Sequence, residues 1–122
     1  MCKRVLLIED EHNIIQAIGF VLSRAGWTVH THADGATAQA EVIRRAPDVV
    51  ILDAMLPNRS GFDILRDLRA DPGTATLPVL MLTARGQKRD RELAERAGAS
   101  HYMTKPFSND EVLDCLRELT GK

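Results

Sequence analysis

The sequence predicts an α/β fold: a doubly wound sheet of five parallel strands flanked by five helices. Three observations predict it. Apolar runs of strand length recur five times along 122 residues, each run is followed by apolar residues at helical spacing, and Gly, Pro or helix-capping residues punctuate the joins. Strands that alternate with helices in this way lie parallel, with helices on both faces of the sheet.

The elements follow in order. Arg4–Ile8 (RVLLI) is an apolar run that reads as a buried strand. Ile14, Ile18, Val21 and Leu22 then recur on one face of a helix, which Gly26 ends. Trp27–Thr31 (WTVHT) is a second, more polar strand and therefore an edge strand. Asp34 is placed to cap a helix that runs to Ala46, because Pro47 follows. Val49–Leu52 (VVIL) is the third strand, and Ser60 opens a helix with Phe62, Leu65 and Leu68 on one face. Pro78–Leu82 (PVLML) is the fourth strand, followed by a charged helix from about Gln87 to Ala97 that Gly98 ends. Ser100–Met103 is a short fifth strand. Ser108-Asn109-Asp110-Glu111 fits a capping box ahead of Val112, Leu113, Leu116 and Leu119. Right-handed crossovers leave few topologies, and the polar second strand selects the flavodoxin-like order 2-1-3-4-5.

Composition narrows the function classes. The length suits one domain over residues 1–122, and 44% hydrophobic with 27% charged residues is an ordinary globular balance. A net charge of −1 argues against direct nucleic-acid binding by this domain, and no apolar run is long enough for a membrane span. Cys2 and Cys115 form neither a disulfide framework nor a zinc spacing, so reduced thiols in the cytoplasm are expected.

In open α/β sheets, sites form outside the carboxyl ends of the strands. Glu9, Asp10 and Glu11 follow strand 1, Asp53 follows strand 3, Thr83 and Ala84 follow strand 4, and Thr104, Lys105 and Pro106 follow strand 5. Only His32 follows strand 2. Carboxylates gathered on one rim repel one another, and the single ammonium of Lys105 cannot balance Glu9, Asp10 and Asp53. A divalent cation with oxygen ligands is the natural complement. Mg²⁺ suits one or two carboxylates, several waters and a phosphoryl group. The rim therefore reads as a phosphoryl-transfer site with Asp53 as nucleophile.

These pieces, "VLLIEDE", "VVILDAMLP", Gly61, "PVLMLTAR", "GAS-YMTKPF" and the final helix, resemble the receiver domain of two-component response regulators. They span nearly the whole chain in the right order. "IEDE", "DAMLP" and "LTARG" are most similar to the receivers of winged-helix, OmpR/PhoB-type transcription factors. The resemblance implies a CheY-like fold and a role for each matching residue. Asp53 would accept a phosphoryl group from a histidine kinase or histidine phosphotransfer protein. Asp10 and Asp53 would bind Mg²⁺ (or Mn²⁺) directly, with the Met55 backbone carbonyl as a third ligand. Glu9 would act through a metal-bound water; many receivers carry aspartate there. Thr83, the Ala84 amide and Lys105 would hold phosphoryl oxygens, Lys105–Pro106 would be cis, and Thr83 and Tyr102 would form the switch. Arg91 and Glu111 match one charged pair of the dimer face built by the fourth helix, fifth strand and fifth helix. Ser100 and His101 stand where acids are common and Cys115 where arginine is common, so homodimerisation through that face is expected to be weakened.

Plainer readings are attached to the remaining residues. Glu11 reads as a surface acid, His30 and His32 as edge-strand histidines without a third ligand, and His12 as a residue on the site's rim. The mixed-sign run Lys88–Glu92 is either a solvated face or part of an output surface. An aspartate-nucleophile phosphatase or hydrolase of related fold is the main alternative function. Such enzymes need an acid two residues after the nucleophile, and Met55 stands there. A docking module that never takes phosphate is the other alternative, and the set Asp10, Asp53, Thr83 and Lys105 speaks against it. The expectation is thus a signalling phosphoacceptor that catalyses only its own phosphorylation and slow autodephosphorylation, because Met55 and Arg85 would border the path of attacking water. The departures on the dimer face favour a stand-alone regulator over a receiver cut from a longer transcription factor.

Overall fold

A computed structural model describes residues 3–84 and 88–121. Five strands, β1 (Arg4–Ile8), β2 (Thr28–His32), β3 (Val49–Asp53), β4 (Val79–Thr83) and β5 (His101–Thr104), form one sheet in the order 2-1-3-4-5, all parallel. Five α-helices connect and close them: α1 (His12–Arg24), α2 (Ala38–Arg45), α3 (Gly61–Ala70), α4 (Lys88–Ala97) and α5 (Asn109–Thr120). The predicted class and strand order hold. Cys2, Arg85 and Gln87 lie outside the described residues, so the expectations attached to them go no further here.

Strand alternation divides the core into two layers, because successive side chains point to opposite faces of the sheet. Leu6, Ile8, Val50, Leu52 and Met81 pack with Val42 of α2, Ile64, Leu65 and Leu68 of α3, and Ala94 and Ala97 of α4. Val5, Leu7, Val49, Ile51, Leu80 and Leu82 face the other way, onto Ile18 and Leu22 of α1 and Val112, Cys115 and Leu116 of α5. Apart from Arg4 at the start of β1 and Asp53 and Thr83 at the ends of β3 and β4, the three inner strands are apolar, as a sheet covered on both faces requires, while β2 is only partly buried at its edge.

Three local differences from the sequence reading have physical causes. β3 and β4 extend one residue further, through Asp53 and Thr83, because backbone pairing (Asp53 with Leu82, Thr83 with Thr104) continues after the side chains turn polar. β2, β4 and β5 begin one residue later than read, and β2 and β5 also end one residue later; Trp27 is buried ahead of β2. Asp34 caps a 3-10 turn (Gly35–Thr37) rather than the α-helix itself, its carboxylate accepting from the Ala36 amide at 2.9 Å. The capping box is present as read: Ser108 Oγ accepts from the Glu111 amide at 3.1 Å, and the Ser108 amide donates to Glu111 Oε1 at 2.8 Å.

An acidic site at the carboxyl rim of the sheet

Register carries the chemistry-bearing residues to one place. Ile8 pairs with Leu52 and Asp53 with Leu82, so the residues that follow β1 and those that close β3 and β4 emerge at the same rim. Glu9, Asp10 and Asp53 each offer a carboxylate oxygen, and these atoms lie within 4.8 Å of one another. Glu9 and Asp53 are buried and Asp10 is exposed, so the cluster opens to solvent on one side.

Lys105 answers this charge. Its Nζ lies 3.5 Å from Glu9 Oε1, 3.6 Å from Asp53 Oδ1 and 3.8 Å from Glu11 Oε1. The lysine side chain is only 16% exposed, which holds the ammonium against the cluster instead of in bulk water. The Lys105 amide donates to the Thr83 carbonyl at 2.7 Å, joining the β5 exit to the end of β4, and the Lys105–Pro106 peptide is cis. Glu11, read from the sequence as a plain surface acid, thus stands within ion-pair distance of the same ammonium. Its amide also donates to Glu9 Oε2 at 3.1 Å.

Among the described residues, one cation faces four carboxylates, which leaves the site under-compensated. Glu9 records the imbalance: burial first, then a side-chain hydrogen bond with the adjacent Asp53 and that carboxylate's charge, push it up to about 7, against the pull of the Glu11 amide and Lys105. Glu9 Oε1 is buried and has no hydrogen-bond partner among the described residues. A buried carboxylate oxygen that lacks a hydrogen bond, beside two further carboxylates, belongs to a donor set that fits a hard divalent cation.

The other predicted residues are placed as follows. Asp53 Oδ1 accepts from the Met55 amide at 3.1 Å, and the Met55 side chain points to solvent, 65% exposed. Thr83 is buried at the end of β4, directly beside β5, and Ala84 is exposed just beyond it. Tyr102 of β5 is half-buried against the α2–α4 core layer, and the Arg91 guanidinium lies over its ring at 5.7 Å. Glu111 is engaged in its own helix cap. His12 is exposed at the start of α1. His32 meets Thr37 (Nε2 to Oγ1, 2.7 Å), and among the described residues neither His30 nor His32 joins a group of metal-binding side chains.

Of the loop after Asp53, sequence reasoning singled out Met55 and Gly61 but not how the loop packs. Gly61 is packed so closely that a Cβ there would collide with the Asp53 carbonyl oxygen, and its amide donates to the Ala54 carbonyl at 2.9 Å. Further along, Asn58 adopts φ 71°, a left-handed conformation that asparagine tolerates.

Fold and site together define an α/β signalling domain with an acidic site at the carboxyl rim of its sheet. The comparisons make the family explicit: residues 5–117 match the response regulator receiver domain, and the chain belongs to that family. It is 45% identical over 116 residues to the probable transcriptional regulatory protein TcrX of Mycobacterium tuberculosis, an alignment covering 94% of this chain and 48% of TcrX. The chain spans about half the length of the curated relatives it matches. Among solved structures it is similar to a putative response regulator from Chloroflexus aurantiacus, with a TM-score of 0.95, 30% identity and full coverage of both chains. It is also similar to the receiver domain of the sensor histidine kinase PA1611 from Pseudomonas aeruginosa, which carries a magnesium ion in its active-site cleft. There the TM-score is 0.91 and the identity 30%, again with full coverage of both chains. The relatives at 38–45% identity include PhoP and PhoB, in keeping with the OmpR/PhoB-type character of the sequence.

Proposed function

We propose that residues 1–122 act as a single receiver domain, a cytoplasmic phosphoacceptor switch in which Asp53 takes a phosphoryl group from a histidine kinase or histidine phosphotransfer protein. The observation that carries this reading is the cluster of Glu9, Asp10 and Asp53 within 4.8 Å, with Lys105 3.6 Å from Asp53.

A carboxylate oxygen of Asp53 forms a bond to phosphorus as the bond from phosphorus to the donor's imidazole nitrogen breaks, and the nitrogen keeps that electron pair. Lys105 presents its ammonium to a phosphoryl oxygen, where negative charge is concentrated in the transition state. The Thr83 hydroxyl and the Ala84 amide take the remaining oxygens. Asp10 and Asp53 would hold Mg²⁺ (or Mn²⁺), with the Met55 carbonyl as a further ligand and Glu9 acting through a water. When bound, the ion neutralises charge on the carboxylates and the phosphoryl oxygens.

Thr83 moves toward the phosphoryl group and Tyr102 turns inward behind it, which changes the α4–β5–α5 surface that a partner or output domain reads. Arg91 and Glu111 lie on that face, and a homodimer through it is weakened because Ser100, His101 and Cys115 replace charged residues. Beyond its own phosphorylation and slow autodephosphorylation the domain catalyses nothing: the position two residues after Asp53 holds Met55, which cannot serve as a general acid.

Beryllofluoride with Mg²⁺ tests the reading. The wild-type chain is expected to bind it, with NMR shifts at Asp53, Thr83 and Tyr102, and Asp53→Ala is expected to show none. Equal shifts in the variant, or none in the wild type, contradict the proposal.

A further inference from the structure

The loop from Ala54 to Ser60 leaves the site with Met55 near its start, and a second segment of the chain braces it. The Gly35 amide donates to the Pro57 carbonyl at 3.1 Å, and Asn58 Nδ2 donates to Asp34 Oδ1 at 2.8 Å, a bond between residues 24 apart in sequence. Asp34 Oδ1 also accepts from the Ala36 amide, so one carboxylate oxygen caps the Gly35–Thr37 turn and holds Asn58. The Asn58 bond is the first cause of an Asp34 carboxyl held below its usual range, the Ala36 amide the second. The fit at Gly35 is closer still. A Cβ on it would collide with the Arg59 carbonyl oxygen and lie 2.8 Å from the Pro57 carbonyl oxygen and 3.0 Å from the Arg59 nitrogen, all backbone atoms that cannot swing aside. Arg59 in turn pairs with Asp67 of α3.

From this we infer that Asp34, Gly35 and Asn58 are positioning residues for the acidic site: they fix the loop that presents the Met55 backbone to the cation. The inference rests on the reading of Met55 as a ligand under Proposed function. Three contacts from the β2–α2 connection converge on Pro57, Asn58 and Arg59, while Gly61 pins the loop at its other end against Asp53 and Ala54. Bound at both ends, the intervening backbone has one conformation, and a ligand carbonyl held in place binds a hard cation without first being ordered.

Calorimetric titration of the chain with MgCl₂, alongside thermal melting in EDTA, tests this. Asp34→Ala and Asn58→Ala are each expected to weaken Mg²⁺ binding about tenfold, with the double variant no worse than either single one. Asp34→Asn keeps the acceptor oxygen and is expected to stay within about twofold of wild type. Gly35→Ala is expected to lose the most affinity; should it fail to fold, the Asp34 and Asn58 variants still decide. Purely structural contacts would lower the metal-free melting temperature and leave the affinity of the folded protein unchanged. Unchanged affinity in both single variants beside a wild type that binds Mg²⁺ overturns the inference alone. A wild type that binds no Mg²⁺ overturns the site reading and the inference with it.

Discussion

Lys105→Ala is expected to slow phosphoryl transfer to Asp53 from acetyl phosphate by at least about a hundredfold, because it removes the one ammonium aimed at the developing charge. The ammonium lies 3.5 Å from Glu9 and 3.6 Å from Asp53, both buried. Without it, two buried carboxylates face each other with no counter-charge from the described residues. Breaking such a set costs stability as well as rate, here about 3 kcal/mol in the metal-free protein. Added Mg²⁺ should recover much of that stability, since the ion supplies the missing positive charge, but it should not recover the rate. Single-turnover kinetics and urea melts separate the two effects. A variant that accepts phosphate at the wild-type rate removes Lys105 from the site's chemistry.

Glu9→Gln is expected to stabilise the metal-free domain at pH 8 by about 2–3 kcal/mol relative to wild type. Folded Glu9 sits at about 7, against 4.5 in the open chain. A folded value above the unfolded one means that this carboxyl's contribution is fully present below about pH 4.5 and is lost as pH rises through about 7. Glutamine mimics the protonated form and does not titrate. The difference between variant and wild type should therefore be small at pH 4.5 and largest at pH 8 in EDTA. Mg²⁺ should narrow the gap at pH 8, by stabilising the wild type more than the variant. Parallel urea melts at the two pH values check this, and a variant no more stable than wild type at pH 8 contradicts the picture of an under-compensated cluster.

The fold was largely legible because hydrophobic period and punctuation report directly on backbone pairing and helix faces. Val49–Leu52 and Pro78–Leu82 could only be buried strands, and their burial on both faces set the helices around them. The strand ends were less legible. Asp53 and Thr83 are polar, and a reading based on apolar character stops before them, whereas the backbone ladder continues. The acidic rim was also accessible, since topology alone sends Glu9, Asp10, Asp53 and Lys105 to one end of the sheet. Two features were not. Glu11 looked like any solvated acid because its approach to Lys105 depends on how the chain turns into α1. The brace formed by Asp34, Gly35 and Asn58 joins segments with no shared pattern. Asp34 read as a helix cap, and nothing in the sequence indicated that its turn would pack on the loop after Asp53.

The most direct test of the account is the site of phosphorylation itself. The chain should be incubated with acetyl phosphate and Mg²⁺, and the product mapped by mass spectrometry with borohydride trapping of the acyl phosphate. One phosphoryl group is predicted per chain, on Asp53, dependent on Mg²⁺ and absent from Asp53→Asn. Phosphate on another residue, or none on a folded, Mg²⁺-bound protein, would contradict it.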